Sequence, residues 1–206
     1  MSEGDFFSDE AKRASVTSVR SVEAQTSAEV VVAVRKRSGR YGVLAYHFGL
    51  GLAAFVVLFL LVSPRVYSVG AIALEGLLAL VLGVGVSASF DTLLRAVSRS
   101  ATLSANVNGA ARAAFYDLGI SRTSGRNGIL VFVSLFERRC VVLTDIGLNP
   151  AELEPGWLAA VAGLEGAVKR RDLSAFQQAL TSLGPVLARA QPRSEDDVNE
   201  LPDEVQ

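Results

Sequence analysis

Hydrophobic positions are spread unevenly along this chain, and the longest apolar block, residues 43–88, is broken only at Ser63-Pro64-Arg65. Residues 43–62 carry no formal charge and number about 20, enough for a helix to cross the ~30 Å hydrocarbon core of a bilayer. Residues 66–88 are of similar length and include one acid, Glu75. Neither half has the polar face that a helix on the surface of a water-soluble domain displays. A short break containing proline predicts two transmembrane helices returning side by side, with Pro64 at the tip of the hairpin.

On either side of this block the pattern is that of an ordinary α/β domain. Ser8 is a predicted N-cap with Asp9 and Glu10 in the first turn of a helix to about residue 26, its apolar side formed by Ala11, Ala14, Val19 and Val22. Residues 28–34 are a β-branched run, apolar on both faces, which suits a strand covered on both sides. After the block, residues 91–100 read as a polar exit. Residues 105–118 then form a helix with Val107, Ala110, Ala111, Ala114, Phe115 and Leu118 inward, stopped by Gly119. Strands are expected at 129–136 and 139–144, joined at Glu137-Arg138 as an antiparallel hairpin.

Pro155 opens the next predicted helix, to about residue 170, with Trp157, Leu158, Val161, Leu164 and Val168 inward. Asp172 caps a last helix bearing Leu173, Phe176, Leu180, Leu183 and Leu187 at helical spacing, interrupted at Gly184-Pro185. From residue 191 the composition turns polar and acidic, either a solvated tail or a segment that docks in part on the domain, with Leu201-Pro202 as its apolar anchor. In this order the first two strands enclose a crossover and are expected to be parallel. The predicted fold class is α/β, a three-layer α/β/α sandwich around a small mixed sheet. The transmembrane hairpin is inserted after the first strand. The chain thus divides into residues 1–40, the hairpin 43–88, residues 91–190 and the acidic tail 191–206.

Composition adds limits. With the block in the membrane, roughly 160 residues remain, one domain's worth. A formal net charge of −1 gives no support to nucleic-acid binding. The single cysteine, Cys140, lies in an apolar run and reads as core, so no disulfide framework is expected. The first nine residues lack the basic and apolar regions of a signal peptide. Arg35, Lys36, Arg37 and Arg40 precede the block and Arg95 and Arg99 follow it, against Arg65 alone in the turn. The expected location is therefore the inner (plasma) membrane, with both termini and the soluble domain cytoplasmic.

Asp145, just past a strand end and next to Ile146-Gly147, is placed where a carboxylate can bind a hard cation such as Ca²⁺, and Asp117 and Asn127 are further candidate ligands. Calcium takes six to eight oxygens. The alternative is that Asp145 caps a turn, Asn127-Gly128 is turn chemistry and Asp117 is solvated. The only histidine, His47, falls inside the first span, so no Ser-His or Cys-His pair is available to the soluble domain, and no HExxH, P-loop or GxSxG pattern occurs.

Glu75 is an acid inside a span, a feature that ordinarily marks a partner, a pathway or an oligomer contact; the alternative is a protonated or lipid-facing carboxyl nearer the outer leaflet. Pairing with His47 is disfavoured by a depth gap on the order of 10 Å. Small residues at Gly49/Ala53, Ala79/Gly83 and Gly76/Gly83 suit close packing within the hairpin and, secondarily, homo-oligomer formation.

Arg126-Asn127-Gly128-Ile129-Leu130, followed by Glu137-Arg138-Arg139 and Thr144-Asp145-Ile146-Gly147, resembles the TPM domain family, named for a thylakoid lumen protein, a photosystem II repair protein and a worm receptor modulator. The likeness extends back through residues 111–123 and forward from Trp157 to the ending 197–204. It implies an α/β/α sandwich in a membrane-anchored bacterial member, and a role in the upkeep of membrane complexes or in receptor modulation. It also implies, for some branches, weak acid phosphatase activity and calcium binding. Two departures stand out: many members are exported, and related sequences often have Gly where this chain has Thr144.

The resulting expectation is an interaction, assembly or maintenance module for membrane proteins, in contact with the lipid bilayer and without established catalysis. A weak divalent-metal-dependent phosphatase and a small oligomeric ion or proton conduit using Glu75 are the alternatives.

Overall fold

The structure is a computed structural model that describes residues 8–149, 153, 156–194 and 199–201. The extreme N-terminus, Pro155 and most of the acidic tail, on which three of the expectations above fall, lie outside the described residues. Two compact units are present, one built from residues 1–38 and 104–206, the other from residues 39–103.

The first unit is mixed α/β. Its sheet has three strands, β1 (Glu29–Arg35), β2 (Gly128–Ser134) and β3 (Arg139–Thr144), in the order β1-β2-β3. β1 and β2 are parallel, with Val32 opposite Val131, and β2 and β3 are antiparallel, with Val131 opposite Val142. Both orientations are those expected from the order of elements.

Because successive side chains of a strand point to opposite faces, the β-branched runs feed two cores at once. Val30, Val32, Val34, Ile129, Val131 and Val133 enter one core, together with residues from α1 (Asp9–Glu23), α6 (Gly156–Arg170), α7 (Leu173–Thr181) and α8 (Leu183–Ala190). Val31, Ala33, Leu130 and Phe132 enter the other, against Val107, Ala111 and Ala114 of α5 (Ser100–Asp117) and Ile120. Strands buried on both faces need apolar residues at every position, which is why these segments do not alternate.

Local signals account for most helix ends. Ser8 accepts a hydrogen bond from the N–H of Ala11 at 3.1 Å and caps α1. Asp172 does the same for α7 with Ala175 at 3.0 Å. Gly119, at φ 70°, ends α5 in the left-handed conformation that glycine adopts without strain. The last helical pattern breaks at Ser182, between α7 and α8. Pro185 explains this position: its ring excludes the carbonyl four residues earlier and it has no N–H to donate.

Some expectations are corrected. The second strand ends at Ser134, two residues early, because Leu135 and Phe136 donate instead to Arg35 O, at the end of β1, and to Lys36 O just past it, at 3.0 and 2.9 Å. At the turn, Glu137 is buried and accepts from the Ser134 hydroxyl and, at 2.9 Å, from the N–H of Ser38. The first helix closes at Glu23, not near residue 26. In α6, Leu158 is 59% exposed, and the inward stripe runs through Trp157, Ala160, Leu164, Ala167 and Val168, the spacing of a narrow helical face.

The second unit holds two long apolar helices, α2 (Gly42–Val62) and α3 (Val69–Ser89), packed along each other and followed by α4 (Asp91–Val97). Both are long and apolar enough to cross a membrane. The α3 helix starts three residues later than expected because Ser68 caps it, accepting from Ala71 N–H at 3.2 Å. The predicted polar exit is in fact helical as α4, with Asp91 in its first turn and Arg95 in its last, each suited to the helix dipole.

Glycine permits the close approach of α2 and α3. A Cβ on Gly83 would stand 2.7 Å from the Cα of Gly49, and one on Gly76 would stand 2.8 Å from Val57 Cγ2. Near the opposite end from the Pro64 turn, the buried Ser87 hydroxyl donates to the carbonyl of Ala45 at 3.4 Å.

Candidate functional site

The chemistry-bearing residues of the α/β unit gather where β2 begins and β3 ends. The loop 123–127 enters β2, and residues 145–148 leave β3 beside it. Backbone hydrogen bonds join the two: Asp145 N–H donates to Gly128 O at 2.9 Å and Gly147 N–H donates to Arg126 O at 2.8 Å. Gly147 is required by closeness, since a Cβ there would lie 2.4 Å from Gly125 O and 2.6 Å from Arg126 O.

Arg126 takes a left-handed backbone, φ 51°, which an arginine adopts only when its surroundings hold it there. Here its guanidinium makes a two-pronged pair with the buried Asp145 carboxylate, Nε to Oδ2 at 2.6 Å and Nη2 to Oδ1 at 2.9 Å. Asp145 Oδ1 also accepts from Ile146 N–H at 2.8 Å. The Arg126 hydrogen bond is the main reason the Asp145 carboxyl is held below the usual carboxylate range, with Ile146 adding to it and burial opposing.

Asn127 is nine-tenths buried and ties the loop to the lead-in of β1: its side-chain NH₂ donates to Ser27 O, and its own N–H donates to Thr123 Oγ1 at 3.2 Å. Its Oδ1 is buried with no hydrogen-bond partner among the described residues.

The C-terminal segment meets the same loop. The Glu200 carboxylate accepts from the Ser124 hydroxyl at 2.6 Å and from Ser124 N–H at 3.0 Å, bonds that hold its carboxyl below the usual range. The N–H groups of Glu200 and Leu201 donate to the buried Glu29 at 3.2 and 3.3 Å, and Leu201 packs on the core that contains Phe132. The expected docking through Leu201 is therefore present for that residue; its neighbour Pro202 lies outside the described residues.

Asp117 is exposed at the last position of α5 and forms no hydrogen bond or ion pair with a described residue, so it does not join Asp145. Among the described residues, no group of three or more His, Cys, Asp or Glu side chains is arranged to hold a metal. Both oxygens of Asp145 already face a guanidinium, and the donor set in this arrangement suits that cation, not Ca²⁺. Cys140 is buried in the core, where burial pushes its thiol far above its ordinary value, so it is inert.

In the other unit, His47 is exposed and its Nδ1 lies 2.7 Å from Val43 O, within its own helix. Glu75 is exposed on α3. Ser124, Glu200, Glu29 and Arg126 were not singled out as a group by sequence reasoning. The signal available was the acidic ending with its apolar Leu201, but which loop it meets is a long-range fact.

No protein-family profile and no curated protein matches this chain. Among solved structures it is similar to the NMR structure of the BA42 protein from the psychrophilic bacterium Bizionia argentinensis, at 17% identity and a TM-score of 0.57, covering 96% of this chain and 92% of that one. At that identity the likeness shows a shared fold.

Proposed function

We propose that the chain is a membrane-anchored, TPM-like interaction or assembly module for membrane protein complexes, its α/β unit a three-layer sandwich and α2 and α3 a transmembrane hairpin. The observation that carries this reading is the surface of the hairpin: Phe55, Leu58, Leu61, Leu77 and Leu82 are all more than half exposed on two helices long enough to span a bilayer. Such a surface is costly in water and at home in lipid. The arginines and lysine flanking the hairpin orient both termini and the α/β unit to the cytoplasm of a bacterial inner membrane. The docking of Glu200 and Leu201 around the loop 123–127 gives the α/β unit a defined surface to offer a partner.

Proximity-dependent crosslinking from the α/β unit is expected to recover a defined membrane complex. A chain that stays solitary under mild detergent would count heavily against the reading. Topology reporters after Arg40, at Pro64 and at Gln206 test the orientation, and an external signal at Gln206 would reverse it.

A second reading, a divalent cation at the loop 123–127 with weak phosphatase turnover, is favoured by one observation, the unpartnered Asn127 Oδ1. It needs the Arg126–Asp145 pair to open first. Turnover that requires a divalent cation and vanishes in Asp145→Asn would support it; turnover that survives Asp145→Asn would remove Asp145 from the centre.

A further inference from the structure

Within the hairpin Gly49, Gly76 and Gly83 are taken up by the packing of α2 on α3, and among the residues that α3 leaves exposed are several large aliphatic side chains and the acid Glu75. Glu75, Leu78, Leu82 and Val86 recur at three- and four-residue spacing and are all exposed, forming one stripe. Glu75 lies six residues into α3 from Val69, about 9 Å from the turn end of the helix at 1.5 Å per residue.

No described side chain answers it. Gly76 packs on Val57 of α2, so the residues of α2 at this level are Phe55 through Leu60, every one apolar. His47 stands at the far end: Gly49 lies against Gly83 and Val84, which places His47 about ten residues from Glu75 along the axis, roughly 15 Å. This exceeds the gap on the order of 10 Å expected from the sequence.

A carboxylate at such a depth in hydrocarbon is costly unless a cation or a proton donor meets it. A second copy in the same membrane has the same orientation, so it would bring Glu75 to Glu75, like charge to like charge, with its His47 again too far away. Charge complementarity selects a different occupant. We propose that the Glu75/Leu78/Leu82/Val86 stripe is a docking face for a transmembrane helix of another protein that carries a Lys or Arg at the depth of Glu75. This rests on the membrane reading above and deepens it, naming the face and the chemistry of the partner.

The test uses the full chain reconstituted in phosphatidylcholine vesicles with a synthetic leucine-rich helix of about 21 residues, long enough to span. The helix carries one Lys about two turns from its end; control helices have Leu or Glu at that position. Association is read by fluorescence energy transfer. The Lys helix is expected to associate about tenfold more strongly than the Leu helix, the worth of a modest intramembrane polar contact. The preference should vanish in Glu75→Gln and fall in Leu82→Trp, which obstructs the stripe and leaves the acid in place.

Equal association of Lys and Leu helices with a chain that floats with the vesicles and resists alkaline extraction would overturn this inference and leave the membrane reading standing. So would self-association of the chain that exceeds its binding of the Lys helix and is lost in Glu75→Gln, since the occupant would then be a second copy. A chain that does not stay with the vesicles would end both.

Discussion

The two units have similar apolar side chains in opposite places. In the α/β unit the valines of three strands point into two cores, and Phe132, Phe176, Leu164 and Leu180 are shut away from solvent. In the helical unit Phe55, Leu58, Leu77 and Leu82 point outward, and Ala45, Gly49, Gly76, Ala79 and Gly83 are among the residues buried where α2 meets α3. The difference follows from what each unit excludes. One is driven together by removing apolar surface from water; the other, on the proposed membrane reading, would gain little that way in lipid and would depend on close backbone approach. Apolar content alone does not assign a residue to the inside, whereas size and spacing do.

That contrast can be broken by mutation, and the largest effect belongs in the α/β core. Phe176→Ala is expected to cost about 3–5 kcal/mol through lost burial and the cavity left behind. The single tryptophan, Trp157, lies in this unit, so a denaturant titration followed by its fluorescence reads the α/β unit. Leu82→Ala, a truncation on the hairpin's outer face, should leave the same transition within about 0.5 kcal/mol. Comparable shifts from the two would erase the distinction.

Next in size is the Arg126–Asp145 pair. Asp145→Asn removes charge-assisted hydrogen bonds to a buried acceptor and should cost roughly 1.5–3 kcal/mol. The sign with pH follows from a folded carboxyl held below its unfolded value, about 3.9. Its stabilisation is present above that value and is lost as pH falls through the lower, folded one. The wild type should therefore show an acid limb in stability that Asp145→Asn flattens. An unchanged acid limb in the variant would assign the pH dependence elsewhere.

Gly147→Ala is expected to cost about 1–3 kcal/mol, because the added carbon meets two backbone carbonyls that cannot swing aside. In the hairpin, Gly83→Leu should separate α2 from α3, read as loss of disulfide trapping between cysteines placed in the two helices, while the Trp157 transition stays put. The smallest effect is expected from Glu200→Gln: a slight shift in melting, with faster proteolytic cleavage of the segment after Gln191 as the sensitive readout. Equal cleavage rates would mean that the Ser124 contact does not hold the segment.

Much of the architecture is legible from the chain because it is governed by short-range rules. Ser8 and Asp172 cap where expected, Gly119 stops its helix, and Pro185 interrupts the last one, each through a hydrogen bond or a clash within four residues. The parallel pairing of β1 with β2 follows from the length of the crossover. The misreadings lie where a long-range partner intervenes. β2 ends early because Leu135 and Phe136 bond to Arg35 and Lys36 where β1 ends, and Leu158 turns outward because Ala160 and Ala167 line the packed face of α6.

The candidate site was legible in composition and hidden in arrangement. Asp145 and Asn127 are an acid and an amide at strand ends and Asp117 an acid at a helix end, and the sequence alone offers all three as oxygen donors. Only the fold shows that Asp145 faces a guanidinium, that Asn127 spans to Ser27 and that Asp117 is left exposed at the end of α5.

The chain by itself determined the two long apolar helices, the doubly apolar strands, their caps and breaks, and the presence of one acid at Glu75. These are properties of neighbours in sequence: hydrophobic period, helix-end hydrogen bonding and the stereochemistry of glycine and proline. The tertiary structure alone decided that Glu200 meets Ser124, that Arg126 takes Asp145, and that Gly49, Gly76 and Gly83 are spent inside the hairpin while Glu75 stays outside. Those outcomes depend on which distant surfaces meet, and burial and pairing energies between segments far apart in sequence settle them only once the whole chain is packed.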